Sequence, residues 1–491
     1  MDMGRGRDPF RTAERDAIGA RVRAMALKAG ARPSAAGFCR MFPELAAAEH
    51  RLPEGGRTIV ELLGLGSAMA EPAAALPEPR VRSAGDGCVP AGYTYLLAFV
   101  LNDLVMERMG VLDGRAADFV PRDDVSGLFN RRTGRLELDS LYDAPRDPAD
   151  LARLLVGPVA SSGGGLPRPP RKADRNDLPR LSRSLDAGRD RVARCGDPRN
   201  DDLLILSQLH VAFLKAHNAL VGAGRSFEGA RRALRQRYQW MVLFDLLAQL
   251  CDPVVLDDVA ARGPRVFTGA GESGRAMPVE FCAAAFALAP TMMRASYDYN
   301  PSFRQIARGA LVTRFALGTA GRGPDSLPEQ WIIGWEGFLP LEGRAPQRAR
   351  AFNTELAGAP RTAAAIATYH LLDGYRLGLP TGQAVARTLG IAPLAGDALL
   401  AGLPERQRAA VRPFSAATPL WFYLLAEAGA PDGPAGRHLG VVGSRIVAET
   451  LWRLVGASDS SILAPDADLD FERFTLSDLV LLAGEQDLFT D

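Results

Sequence analysis

The sequence predicts a mainly α-helical protein, and three stretches carry that prediction. Around Arg199–Asn218 the residues Leu203, Leu206, His210, Phe213, His217 and Leu220 recur at spacings of three and four, the signature of one buried helical face. Ala91–Val105 is a second apolar run of helical length, and Phe227–Leu250 a third with an amphipathic pattern. Alternating strand-like segments are few, so helix-on-helix layers are the expected architecture.

Composition narrows the possibilities. The chain has 491 residues, 47% of them hydrophobic, enough for a large core. Its 58 basic residues nearly balance its 57 acidic ones, which predicts no global pull toward nucleic acid or a membrane surface. No apolar run reads as a membrane span, and no apolar signal core follows the polar N-terminus. Cys39, Cys88, Cys195, Cys251 and Cys282 are scattered and odd in number, with no CxxC pair, so reduced thiols and a cytoplasmic setting are expected.

Residues 1 to about 20 read as a polar arm, and 70–90, rich in Ala, Pro and Gly, as loop. His50, between Glu49 and Arg51, reads as a surface residue. In 111–145 the pattern is irregular, with a short extended piece at Leu136–Tyr142. The stretch 156–194 is rich in Gly, Pro and Arg and reads as a long flexible loop; its cluster Arg168, Arg171, Lys172 and Arg175 is either solvated or turned toward an acidic partner. Thr268–Gly274 spells GxGxxG, but no strand-turn-helix context surrounds it, so no phosphate cradle is inferred.

The 199–218 stretch reads as one continuous helix, with Asn200, Asp201 and Asp202 as cap and first-turn acids and Gly222 and Gly224 as the stop. Two readings of its histidines stand side by side: core residues satisfied by hydrogen bonds, or parts of a site opened by Arg199.

Gly196-Asp-Pro-Arg199-Asn-Asp-Asp202, then Ser207-Gln-Leu-His210 and His217-Asn218, resembles the animal-type haem peroxidases, in their bacterial branch. Phe38–Pro43, Tyr238-Gln-Trp240, Trp331–Trp335, Arg376–Ala386, Gly443–Glu449 and Phe471–Ala483 resemble the same branch in the same order. The resemblance implies a single large helical domain over 21–491 with the peroxidase–cyclooxygenase fold. It makes Arg199 the counterpart of the distal Arg that polarises peroxide, and puts Asp202 where some members carry a haem-linked Glu.

Two stretches depart from the family. Ala91–Val105 resembles the distal helix, but Ala98 stands at its Gln, Leu101 at its haem-tethering Asp, and Asn102 at its distal His. The distal His moves a proton between peroxide oxygens, which needs a pKa near working pH; an amide has none. Val279–Asp298 resembles the proximal helix, but its iron-binding His is replaced by Pro290 and the neighbouring Arg by Ala287. Proline has no side-chain donor atom, and inside a helix it predicts a kink. His210 falls about 16 Å along the helix from Arg199, so it does not face it across a haem plane. His217 is farther still, and Tyr369-His370, His438 and Cys282 also lie off the ligand position.

The resemblance further places Asp103, Thr133, the Arg135 carbonyl, Glu137 and Asp139 at the family's calcium loop; the set suits a hard cation, and a solvated acidic loop is the other reading. Three functions follow. The first is a pseudo-peroxidase that binds a small molecule or protein partner without conventional haem, with Arg199 either anchoring a polar group or paired with Asp202 or another acid. The second is an enzyme of altered redox chemistry in a specialised biosynthetic route, haem-free or with an unforeseen iron ligand. The third is an ordinary haem peroxidase, which requires the match to fail at both helices.

Overall fold

The computed structural model describes residues 36–72, 85–106, 120–161, 174–186, 188–267, 276–308, 324–341, 343, 345–464, 467, 469–486 and 488. The arm at 1–20, the GxGxxG stretch and Arg168, Arg171 and Lys172 lie outside these residues. In chain order the helices are α1 Gly56–Met69, α2 Ala91–Leu104, α3 Asp139–Tyr142, α4 Leu204–Gly222, α5 Phe227–Trp240, α6 Leu247–Leu250, α7 Pro253–Arg262, α8 Ala289–Met292, α9 Pro360–Arg376, α10 Gly382–Thr388, α11 Gly396–Ala401, α12 Glu405–Val411, α13 Leu420–Gly429, α14 Val441–Gly456 and α15 Leu476–Ala483. Strands are short: β1 Ala36–Cys39 runs antiparallel to Phe129–Asn130 and parallel to Met277–Pro278, and the remaining sheets are two-stranded.

Helix α4 sits at the centre, packed against α2, α5 and α15. Its composition explains why: fourteen of its residues are buried, including His210 and His217. By length and hydropathy it is also the one described helix that could cross a membrane, contrary to the sequence reading; 78% of its apolar window is buried inside the protein, so it is a core helix.

Helix α2 carries no side-chain cap of its own. Its first N–H groups are satisfied instead by distant carbonyls, Ala91 by Gln347 (2.9 Å) and Gly92 by Phe338 (3.0 Å). Gly92 is required by this approach: a Cβ there would lie 2.6 Å from Leu339 Cδ2. The aromatic face of α2 enters the core through Phe99, which stacks on Phe213 at 4.5 Å and meets Tyr238 edge-on.

Several local expectations are corrected. The stretch from Arg199 is not one helix: Pro198–Asp201 form a 3₁₀ turn capped by Asp197, and α4 begins afresh at Leu204. Proline at the first position of the turn and the Asp197 side chain bonded to the Arg199 N–H favour this separate start. Phe227–Leu250 is helical throughout but contains a π segment, Met241–Leu246. Leu136–Tyr142 is not extended; it ends in the turn of α3, preceded by Leu138 in the left-handed conformation (φ 57°). The described parts of 156–194 are tied down: Gly157–Pro158 pairs with Arg175–Asp177, and the Arg175 guanidinium donates to the Val156 carbonyl. Asp86–Pro90, read as loop, is a strand paired with Arg348–Arg350.

Candidate functional site

Arg199 is held by charge. Asp197, wholly buried, receives its Nε at 2.9 Å and its Nη2 at 2.6 Å, a bidentate pair. Arg132 Nη2 adds a third charged donor to Asp197 at 3.1 Å. Burial pushes the Asp197 carboxyl up, but Arg199 and then Arg132 outweigh it and hold it below the usual carboxylate value. Arg199 Nη2 also donates to the carbonyls of Asn102 (3.2 Å) and Val105, so the guanidinium closes the C-terminal end of α2. Its partner acid is therefore Asp197; Asp202 follows as the C-cap of the 3₁₀ turn. Behind it, Arg180 grips Asp177 and Asp201 together with four hydrogen bonds of 2.7–2.9 Å, which fixes the turn from the other side.

Asn102 is tied into an amide chain. Its Nδ2 donates to Asn200 Oδ1 at 2.9 Å, and Asn200 Nδ2 meets His210 Nδ1 at 3.1 Å. With Asn200 donating, His210 Nδ1 is the acceptor and the proton sits on Nε2, which is buried with no partner. Burial drops the His210 pKa to about 4, so the ring is neutral and sits edge-on to Phe99. Sequence spacing put His210 correctly in the core, but not the relay to Asn102, which depends on the separate 3₁₀ turn presenting Asn200.

Two polar atoms remain open. Asn102 Oδ1 and Arg199 Nη1 make no hydrogen bond among the described residues, and neither is a fully buried orphan. They sit at the end of a helix in which Ala98 and Leu101 are the residues left partly exposed. The result is an apolar strip ending in one acceptor and one cationic donor.

The stretch Val279–Asp298 opens with a π turn, Phe281–Ala285, packed on α9, α13 and α14, followed by a break and the single turn α8. Pro290 does not kink a continuous helix: the helix has already ended, and Pro290 lies in the first turn of α8, where its missing N–H costs nothing. Trp421 Nε1 donates to the Ala287 carbonyl at 3.0 Å, and Glu280 accepts the N–H of Met41 at 2.9 Å, so the segment is pinned at both ends. Helix α8 packs directly against α2.

The residues present do not fit haem iron in the way the resemblance implies. Pro290 supplies no donor. His217 is engaged at both nitrogens, by Tyr142 Oη and the Ala152 carbonyl, each at 3.1 Å. His438 Nδ1 meets the Leu439 carbonyl, His370 is stacked on Trp421 in another helix pair, and His50 is a half-exposed neighbour of Glu49. Cys282 is buried with its thiol toward the Val279 carbonyl.

The calcium set is likewise dispersed. Asp103, wholly buried, accepts the N–H groups of Leu138 (3.1 Å) and Ser140 (3.0 Å) and the Ser140 hydroxyl. Burial first, and Asp139 next, push its carboxyl up to about 7. Glu137 turns away to Arg235 (2.9 Å) and Ser458 (2.5 Å). Asp139 accepts the Thr133 N–H, Thr133 Oγ1 accepts from the Arg135 N–H, and the Arg135 side chain pairs with Asp459. Among the described residues no three acids, cysteines or histidines converge as a metal site.

No protein-family model matches the chain, and no curated protein matches it in sequence. Solved structures do. Peroxidase A from Dictyostelium discoideum superimposes with a TM-score of 0.50 at 12% identity, over 87% of this chain and 86% of that one. The fold resembles the mostly helical fold of this peroxidase. A fatty acid α-dioxygenase from Oryza sativa aligns at a TM-score of 0.49 and 13% identity, over 87% of this chain and 76% of its own. Within the peroxidase fold, α2 and Val279–Asp298 are the stretches that the sequence resemblance equates with the distal and proximal helices.

Proposed function

We propose that this chain is a peroxidase-fold protein that does not turn over peroxide and acts by binding, its former catalytic positions rebuilt as structure. One observation carries the reading: Asn102, which the resemblance sets at the proton-moving base, is hydrogen-bonded into an Asn102–Asn200–His210 chain whose only titratable member is neutral near pH 7. Arg199, which the resemblance sets at the polarising cation, spends its Nε and Nη2 on four contacts, two to Asp197 and one each to the Asn102 and Val105 carbonyls. The resemblance sets Pro290 at the ligand-bearing position, and Val279–Asp298 contains no histidine.

Purification of the full chain from cells supplied with haem tests this. The expected sample is colourless, and peroxide-dependent oxidation of a phenolic dye stays at the level of free haem. A stoichiometric Soret band that survives gel filtration overturns the reading.

A second reading has its own support. The open Asn102 Oδ1 and Arg199 Nη1, beside Ala98 and Leu101, offer a donor-acceptor pair on an apolar wall. That arrangement suits a small polar-headed molecule, bound or chemically altered. Leu101→Asn makes this wall polar without adding a charge beside Arg199; if a ligand found by screening binds the variant equally well, the wall is not its site.

A further inference from the structure

Helices α7 and α14 pack directly against each other, and the Asp252 N–H donates to Ser444 Oγ at 2.8 Å, so the two helices start side by side. On α7, Val254, Asp258 and Arg262 stand one turn apart on one face. On α14, Val441, Arg445 and Glu449 do the same. Together the two rows make a surface that is apolar where the helices begin and cationic further along. Val254 is 75% exposed and Val441 38%, so the apolar end meets water.

The cationic end is built on one carboxylate. Asp258 accepts Arg262 Nη1 at 2.7 Å on one oxygen, and Arg265 Nη2 (2.7 Å) and Arg445 Nη1 (2.6 Å) on the other. The hydrogen bond from Arg445 first, and that from Arg265, hold its carboxyl below the usual value. Glu449, wholly buried, is turned inward: it accepts the successive N–H groups of Arg265, Val266 and Phe267 and meets Arg445 at 3.4 Å. Three guanidiniums against two carboxylates leave the cluster positive. The Arg262 side chain is 65% exposed and that of Arg265 53%; each gives Asp258 one nitrogen and makes no other side-chain hydrogen bond among the described residues. Asp257, the next acid on α7, pairs with neither.

Exposed ion pairs are weak, so Asp258 gathers the guanidiniums without using them up. They converge on one point, one turn from Val254. A row of single carboxylates would spread beyond that point; a phosphate, with three terminal oxygens and up to two charges, matches it. We propose that the α7–α14 face binds a phosphate monoester, its phosphate on the open N–H groups of Arg262 and Arg265 and its apolar ester group on Val254 and Val441. The face holds no residue of the Arg199–Asn102 site.

The test is calorimetric titration of the full chain, at pH 8 and low salt, with phenyl phosphate, benzoate and inorganic phosphate. Phenyl phosphate should bind about tenfold tighter than benzoate, which keeps the ring and carries one charge fewer, and tighter than inorganic phosphate, which lacks the ring. The double variant Arg262→Gln with Arg265→Gln should weaken phenyl phosphate at least about tenfold. Val254→Asp, which sets an acid at the apolar end, should weaken it as well. All three side chains are exposed, so the circular dichroism spectrum should stay unchanged. Benzoate or inorganic phosphate binding as tightly as phenyl phosphate, or either variant keeping the original affinity, overturns the proposal. Should the double variant fail to fold, the ranking of the probes and the Val254 variant decide alone.

Discussion

His210 shows how one buried ring sets a pH limit. Its folded pKa is about 4 against 6.5 when exposed, so between those values the unfolded chain takes up a proton that the folded chain refuses. Stability therefore falls as pH drops through that window, by about 3 kcal/mol in total. In His210→Gln, which keeps an acceptor for Asn200 but cannot titrate, urea unfolding free energies between pH 6.5 and 4 should lose about that much of their acid slope. Asp197 acts at the same scale with greater force. Asp197→Asn leaves Arg199 without its carboxylate and Arg132 with only Asp143 at 3.5 Å, and the variant should lose about 3–5 kcal/mol in the same measurement. Arg199→Leu removes one of those cations and should cost less, which separates loss of the charge from loss of the turn.

At the scale of the element, α2 is defined by how closely its neighbours approach. Gly92→Ala drives a methyl toward Leu339 Cδ2 and the Phe338 carbonyl and should cost about 1–3 kcal/mol, read as a lowered Tm. Gly64, on an exposed face of α1 with nothing within 4 Å of a Cβ, is the contrast: Gly64→Ala should raise stability by roughly 0.5–1 kcal/mol. The same elements show what a sequence can and cannot disclose. Helices α2, α4 and α5 were legible because their buried faces repeat at helical spacing. The π segment at Met241–Leu246 was not, since one extra residue per turn alters neither composition nor apolar content. Two-residue strands are too short to show alternation. Around Arg199, the motif itself was readable, but its partners Asn102 and Val105 lie nearly a hundred residues away and Asp197 only two, a geometry set by tertiary contact and not by spacing.

Across the whole molecule, one hydrophobic core runs from Phe38 to Val480 and passes through both helices that the resemblance equates with a haem pocket. Apolar burial along this core is expected to be the main term that holds the two stretches together. For calcium the measurement is direct. Asp103 spends its oxygens on Leu138 and Ser140, and Glu137 is neutralised by Arg235, so neither millimolar calcium nor a chelator should move the Tm. A calcium-dependent rise in Tm would show instead that Glu137 swings from Arg235 to a cation. The raised Asp103 pKa gives a second global trend: the folded chain holds its proton up to about 7 while the unfolded one releases it near 3.8, so this group makes stability decline as pH climbs through that range.

The bare ends of α2 have a kinetic meaning. A helix whose first amides wait for Phe338 and Gln347, and whose last carbonyls wait for Arg199, gains little from forming early. Its amide protons should therefore exchange with solvent only when the entire chain opens, so that this segment is among the last to settle and the slowest to let go.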